Sequence, residues 1–204
     1  MEKSPNDNVR PAPASTSLHE RAEQNLQIIR ELMEGSVSFT GVSGTGYTLA
    51  GLSAAVAAWI AARQVEPGRW LLVWMIELAL GLLLTFSLTI AKARRQGESL
   101  WSTTGKKLLL AFLPPMFVGA VLTVFLALQE ATHWLPGIWL SLYGAAVIAA
   151  GAHSVPVIPL MGLFFLGLGS SVLLFGLPGD LMLGLGLGGL HVIFGLLIWR
   201  NYGG

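Results

Sequence analysis

The chain has 204 residues, of which 53% are hydrophobic and 11% charged, against about 25% charged in an ordinary soluble domain. So few polar side chains cannot cover a water-facing globule, and a net charge of +1 supplies no field for capturing nucleic acid. The chain has no cysteine, which excludes disulfides, thiolate nucleophiles, iron–sulfur clusters and Cys-type zinc sites.

Residues 1–16 read as a disordered tail, with Pro5, Pro11 and Pro13 among several Ser and Asn. The stretch also lacks the basic and apolar regions of a cleavable signal peptide, so the first membrane span is expected to direct insertion itself. The pattern changes at Ser17-Leu18-His19-Glu20, a capping box that opens a helix over residues 17–35, and Gly35 is suited to end it. Its apolar stripe is Leu18, Ala22, Leu26, Ile29 and Leu32 or Met33, spaced by threes and fours. The opposite face carries Glu20, Glu23, Glu31 and Glu34 against Arg21 and Arg30, so an anionic lipid surface does not attract this helix. The stripe Leu18, Ala22, Leu26, Ile29 and Met33 is therefore expected to pack on protein: its own bundle, a second copy in a homo-oligomer, or a cytoplasmic protein partner.

Residues 36–204 read as a six-helix transmembrane domain. A spanning helix needs about 20 apolar residues, and six runs come near that length: residues 39–62, 70–91, 108–128, 138–152, 155–177 and 181–199. The fourth run is short and is followed at once by His153, Ser154 and Pro156, so a bent or partly re-entrant hairpin of the fourth and fifth is the alternative to six full spans. The fold class is thus all-α, a polytopic transmembrane bundle of about six spans in the lipid bilayer, preceded by a cytoplasmic amphipathic helix.

Cytoplasmic loops retain Lys and Arg. With the N-terminus inside, that side receives ten of the twelve basic residues, namely Lys3, Arg10, Arg21, Arg30, Lys92, Arg94, Arg95, Lys106, Lys107 and Arg200, and leaves Arg63 and Arg69 outside. Both termini are then cytoplasmic. Trp70, Trp101, Trp134, Trp139 and Trp199 fall near span ends, where amphipathic indoles prefer the interface.

The first span carries Gly41, Gly44, Gly46 and Gly51 in its inner half, a composition that favours tight helix packing over a broken helix. Pro114-Pro115 in the third span remove two amide donors and are expected to bend it. In the sixth, Gly184, Gly188, His191 and Gly195 repeat at four, three and four and so share one close-packing face. Asp180 is placed to cap this span.

Ionisable groups at depth are costly unless paired, and they mark candidate functional sites. Glu77 lies about 10 Å and His191 about 15 Å below the outer boundary, counted at the helical rise. A shared proton between them requires the second and sixth spans to be neighbours. Ser53, Thr123, Ser141 or Tyr143, and Ser170 with Ser171 project to similar depth from other spans. Together these residues outline a candidate polar pocket in the outer half of the membrane, with structural hydrogen bonding as the simpler explanation of each.

No motif identifies a reaction. Gly184-x-Gly186-x-x-Gly189 matches a dinucleotide fingerprint as text but sits inside an apolar helix without a preceding strand. His19, His133, His153 and His191 show no metal-ligand spacing. No cofactor, metal or catalytic residue is expected, and the chain is read as non-enzymatic.

The stretch from Glu20 to Glu34 (ERAEQNLQIIRELME), continuing through Ser38-Phe39-Thr40-Gly41-Val42, resembles the opening of a group of uncharacterised bacterial multi-pass membrane proteins, with Thr45 standing where such proteins carry Trp. The resemblance implies a bacterial inner-membrane location and transfers no functional residue. Two functions remain: a regulatory or assembly partner acting through the cytoplasmic helix, and a small transporter or channel built around Glu77 and His191.

Overall fold

The computed structural model describes residues 18–36, 41–97 and 101–203, with side chains in the first stretch described for 20–29. The expected tail, the Ser17 cap, and the side chains of Leu18 and Met33 lie outside the described residues. Every regular element among the described residues is helical. The chain divides into two units, residues 1–37 and 38–204.

The first unit contains α1, Leu18–Ser36. Along it Ala22, Leu26 and Ile29 are all exposed.

The second unit holds α2 (Gly44–Ala61), α3 (Pro67–Arg95), α4 (Thr103–Leu128), a short 3-10 turn at Thr132–Trp134, α5 (Leu135–Gly151), α6 (Val157–Phe175), α7 (Gly179–Leu183), a π-turn at Gly184–Leu190 and α8 (His191–Tyr202). Local chemistry sets several of these ends. Ser43 Oγ accepts the Gly46 amide at 3.1 Å to cap α2, and Ser102 Oγ accepts that of Gly105 at 3.1 Å to cap α4. Pro67 and Pro136 occupy first-turn positions of α3 and α5, where no amide donor is missed. Gly176, at φ +65, ends α6 in a left-handed cap.

Among the described residues five stretches are long and apolar enough to cross a membrane: Pro67–Arg95, Thr103–Leu128, Thr132–Gly151, Val157–Phe175 and Gly179–Tyr202. The fourth apolar run, short in sequence, reaches 20 residues because the 3-10 turn and the first turn of α5 extend it. The first run appears as α2, which has 18 residues. Gly, Thr and Tyr crowd its opening turns, and it is not among the five. Its lower apolarity fits its surroundings, since α2 packs on α3 on one side and on α7, the π-turn and α8 on the other. The prolines at 114 and 115 lie inside an α4 that runs unbroken through them.

Two glycine seams hold the unit together. Gly44 and Gly51 of α2 meet Gly188, Gly195 and Trp199, with backbone so close that a Cβ at Gly44 would stand 2.3 Å from the Trp199 amide nitrogen. The expected small face of the sixth span therefore packs on α2: Gly184 meets Ala58, Gly188 meets Ala55 and Gly195 meets Thr48. The second seam joins α5 to α6, where Gly137, Gly144 and Gly151 recur every seventh residue opposite Gly162, Gly169 and Pro159. Without a hydrophobic driving force between helices in lipid, such close backbone approach is what favours association. The edges of the unit are α3, packed on α2, and α4, packed on α5.

Two clasps define its ends. At one, the buried Lys92 ammonium donates to the carbonyls of Val42 at 2.9 Å and Gly203 at 2.8 Å, joining the start of α2, the end of α3 and the end of α8. At the other, Trp70 Nε1 donates to Asp180 Oδ1 at 2.7 Å. Asp180 therefore does not cap the sixth span with its side chain, as the sequence suggested. Pro178 holds the cap position without a side-chain bond, and Asp180 in the first turn is turned toward α3.

Candidate functional site

The intramembrane polar residues form three separate stations, each bridging two helices. Between α2 and α3, Ser53 Oγ donates to Glu77 Oε1 at 2.8 Å, and also reaches the Ala50 carbonyl at 2.9 Å. Glu77 is buried. It comes to face α2 because Trp74, Glu77 and Gly81 lie at three and four residue spacing on one side of α3, and the missing side chain at Gly81 leaves room for the carboxyl.

Between α5 and α8, the Tyr143 hydroxyl and His191 Nε2 form a 2.7 Å hydrogen bond. Aromatic rings enclose the imidazole: Tyr47 of α2 at 5.5 Å, Phe165 of α6 at 5.3 Å and Tyr143 itself at 5.4 Å between centroids. Phe112 of α4 stands edge-on to Tyr143 at 6.0 Å. Five helices thus contribute to one buried cluster with a single hydrogen bond at its centre. His191 opens α8 directly after the π-turn, a form in which helices carry an extra residue per turn and which recurs at functional positions. Its Nδ1 has no hydrogen-bond partner of good geometry, although the Leu187 and Gly186 carbonyls of the π-turn lie beside it.

Between α4 and α5, Trp139 Nε1 donates to Thr123 Oγ1 at 2.8 Å, while Thr123 donates back to the Gly119 carbonyl at 2.7 Å. Trp139, assigned from sequence to the interface, is thereby turned into the helix contact. Ser141 Oγ is buried without a partner, packed against Gly169. Ser170, half-buried on α6, joins none of the three stations.

The structure therefore does not bring Glu77 and His191 together. Both helices that carry them pack on α2, but the carboxyl binds α2 itself and the imidazole reaches across to α5. The expected single pocket around Glu77, His191, Ser53, Thr123, Tyr143 and Ser170 is resolved into paired contacts. The sequence reading also missed Tyr47, Phe165 and Lys92. Lys92 was counted only as one of a basic cluster, and its signal was its place on the Trp74–Thr89–Ala93 buried face of α3.

Chemically, the stations offer a carboxyl with one hydroxyl donor, an imidazole with one phenol, and an indole–hydroxyl pair. Among the described residues no group of three or more His, Cys, Asp or Glu is placed to hold a metal ion.

Fold and site define an all-α protein with, among the described residues, five helices long and apolar enough for a lipid bilayer. No protein-family model matches the chain, and no curated protein or solved structure is significantly similar to it.

Proposed function

We propose that this is a six-span protein of the bacterial inner membrane, with both termini in the cytoplasm, that acts without enzymatic chemistry as a regulatory or assembly partner through α1. The observation that carries the reading is α1, a helix in a unit of its own along which Leu26 is 66% and Ile29 52% exposed. An apolar stripe left in water is unfavourable, and its net acidic flank disfavours an anionic lipid surface. A protein surface remains as its cover.

The orientation is supported by the distribution of basic residues and by the Lys92 clasp, which gathers the start of α2 and the end of α8 at one end of the unit. The sixth crossing is supplied by α2, whose 18 residues reach about 27 Å at helical rise, close to the hydrocarbon thickness.

Photo-crosslinking from Leu26 and Ile29 in intact membranes tests the reading. The expected result is a discrete adduct, of twice the chain mass for a homo-oligomer or of another fixed mass for a protein partner, that disappears when residues 17–35 are deleted. Crosslinks to lipid alone would overturn it.

A second reading is favoured by the buried Ser53–Glu77 and Tyr143–His191 pairs, since ionisable groups at membrane depth commonly serve translocation. It requires purified protein in liposomes to move an ion or solute down a gradient, with flux lost in Glu77→Gln or His191→Ala.

A further inference from the structure

Two hollows run along one side of the sixth span. The first, of about 460 Å³, lies between the end of α2 and the start of that span and is lined by Ala58, Ala62, Asp180 and Gly184 among others. The second, of about 500 Å³, lies between α6 and the π-turn and is lined wholly by Leu, Phe, Ile and Gly. Leu185 borders both, so they follow one another down the helix. From Asp180 to Ile193 the path is roughly 20 Å at helical rise, somewhat more than the ~15 Å half-thickness of a bilayer core.

The second hollow exists because two side chains are missing. A Cβ at Gly167 or Gly189 would meet nothing within 4 Å, and neither residue has a positive φ. Neither internal packing nor backbone conformation accounts for them, although each glycine within a helix costs about 1 kcal/mol relative to alanine. At the mouth, the charges are unequal. Arg69 pairs with Glu66 at 2.9 Å and Arg63 lies 3.6 Å over the Trp59 ring, whereas Asp180 gives one oxygen to Trp70 and has no other partner among the described residues. A carboxylate at the mouth of a hydrocarbon trough complements an ammonium headgroup carried on an acyl chain.

We propose that this trough is a seat for a membrane phospholipid with a primary-amine headgroup, of the phosphatidylethanolamine class, its ammonium at Asp180 and a chain laid past Leu185 over Gly189 and Gly167. The seat is independent of what α1 binds. It gives the Asp180 half of the sixth span a fixed lipid in place of side chains.

The test is to delipidate the purified full-length protein in detergent, add phosphatidylethanolamine or phosphatidylglycerol of equal chain length, and count retained lipid by native mass spectrometry. The amine lipid should be retained about fivefold over the anionic one, the ratio expected of a partly exposed ion pair. Asp180→Asn keeps an oxygen for Trp70 and should abolish the preference while leaving the fold intact. Gly189→Leu, and separately Gly167→Leu, fill open space and should lower retention of both lipids without lowering the lipid-free melting temperature. Equal retention of the two lipids by the parent protein means annular lipid only and overturns the seat, as does a preference that survives Asp180→Asn or retention that survives both leucine substitutions.

Discussion

The Tyr143 hydroxyl and the His191 imidazole meet at 2.7 Å across α5 and α8, inside a shell of aromatic rings. This is the polar contact that ties the α2–α8 half of the unit to the α5–α6 half, where the other contacts described are apolar or backbone. A buried hydrogen bond of this kind is worth about 1 kcal/mol net, but an orphaned partner costs about 1–3 kcal/mol. Tyr143→Phe and His191→Ala should each lower stability to denaturant in detergent by that order. The double variant should cost less than the sum of the two, because each single change already breaks the same bond. Additive losses would mean that the two groups do not interact.

Glu77 and Ser53 allow a different comparison. Glutamine keeps a carbonyl oxygen for the Ser53 hydroxyl, whereas alanine removes it, so Glu77→Gln should be tolerated far better than Glu77→Ala. Ser53→Ala should cost about 1 kcal/mol through loss of a donor to the buried acid. Unfolding of the three variants in one detergent, followed by tryptophan fluorescence, separates hydrogen bonding from a requirement for ionisable charge. Equal stability of Glu77→Gln and Glu77→Ala would count against a structural role for the bond.

These pairings show which part of the site was legible in the residues. Five of the six apolar runs coincide with the five helical stretches that, among the described residues, are long and apolar enough to cross a membrane, and the first coincides with α2, because the need for about 20 apolar residues leaves little freedom along the chain. That His191 faces inward followed from the glycines on its side of the helix, and Glu77 is buried as well. Their partners did not follow, since counting residues from a boundary sets height within a membrane and leaves azimuth and neighbour order open. Neighbour order rests on glycine contacts. The face of Gly184, Gly188 and Gly195 was visible as small residues at helical spacing, but nothing in it named α2 as the helix that meets it. The Gly137–Gly144–Gly151 seam was overlooked although its seven-residue recurrence is plain in the sequence. The π-turn escaped because a change in backbone pairing has no side-chain signature, and its four glycines read equally well as a close-packing face.

Glycines of two kinds make the seam account testable. At Gly144 a Cβ would stand 2.6 Å from the Leu166 amide nitrogen, so α5 and α6 must separate to admit it, whereas the same atom at Gly167 enters open space. Gly144→Ala should therefore destabilise the unit by about 1–3 kcal/mol, the usual cost of overpacking. Gly167→Ala should be neutral or stabilise by up to about 1 kcal/mol through helix propensity. Thermal unfolding of the pair checks the contrast. Equal effects would show that α5 and α6 are not held by backbone contact at Gly144.

Lys92 presents the sharpest case for a charge whose role is internal. Its ammonium is buried and donates to Val42 and Gly203, so three helix ends depend on one side chain. Lys92→Met keeps the apolar stem and removes the donors. The loss should be about 1.5–3 kcal/mol, the range for hydrogen bonds to charged groups. Arginine carries the charge on a planar, wider head that does not reproduce a compact ammonium between two carbonyls, so Lys92→Arg should not fully rescue. A role confined to setting orientation through the basic cluster predicts the opposite, because Lys92→Arg preserves the positive count and Arg94, Arg95, Lys106 and Lys107 remain. Denaturant unfolding and limited proteolysis at the end of α8 therefore distinguish a clasp from a topogenic charge: the clasp requires Lys92→Arg to be weaker than the parent protein and faster to lose its C-terminal residues, whereas the topogenic reading requires it to match the parent in both.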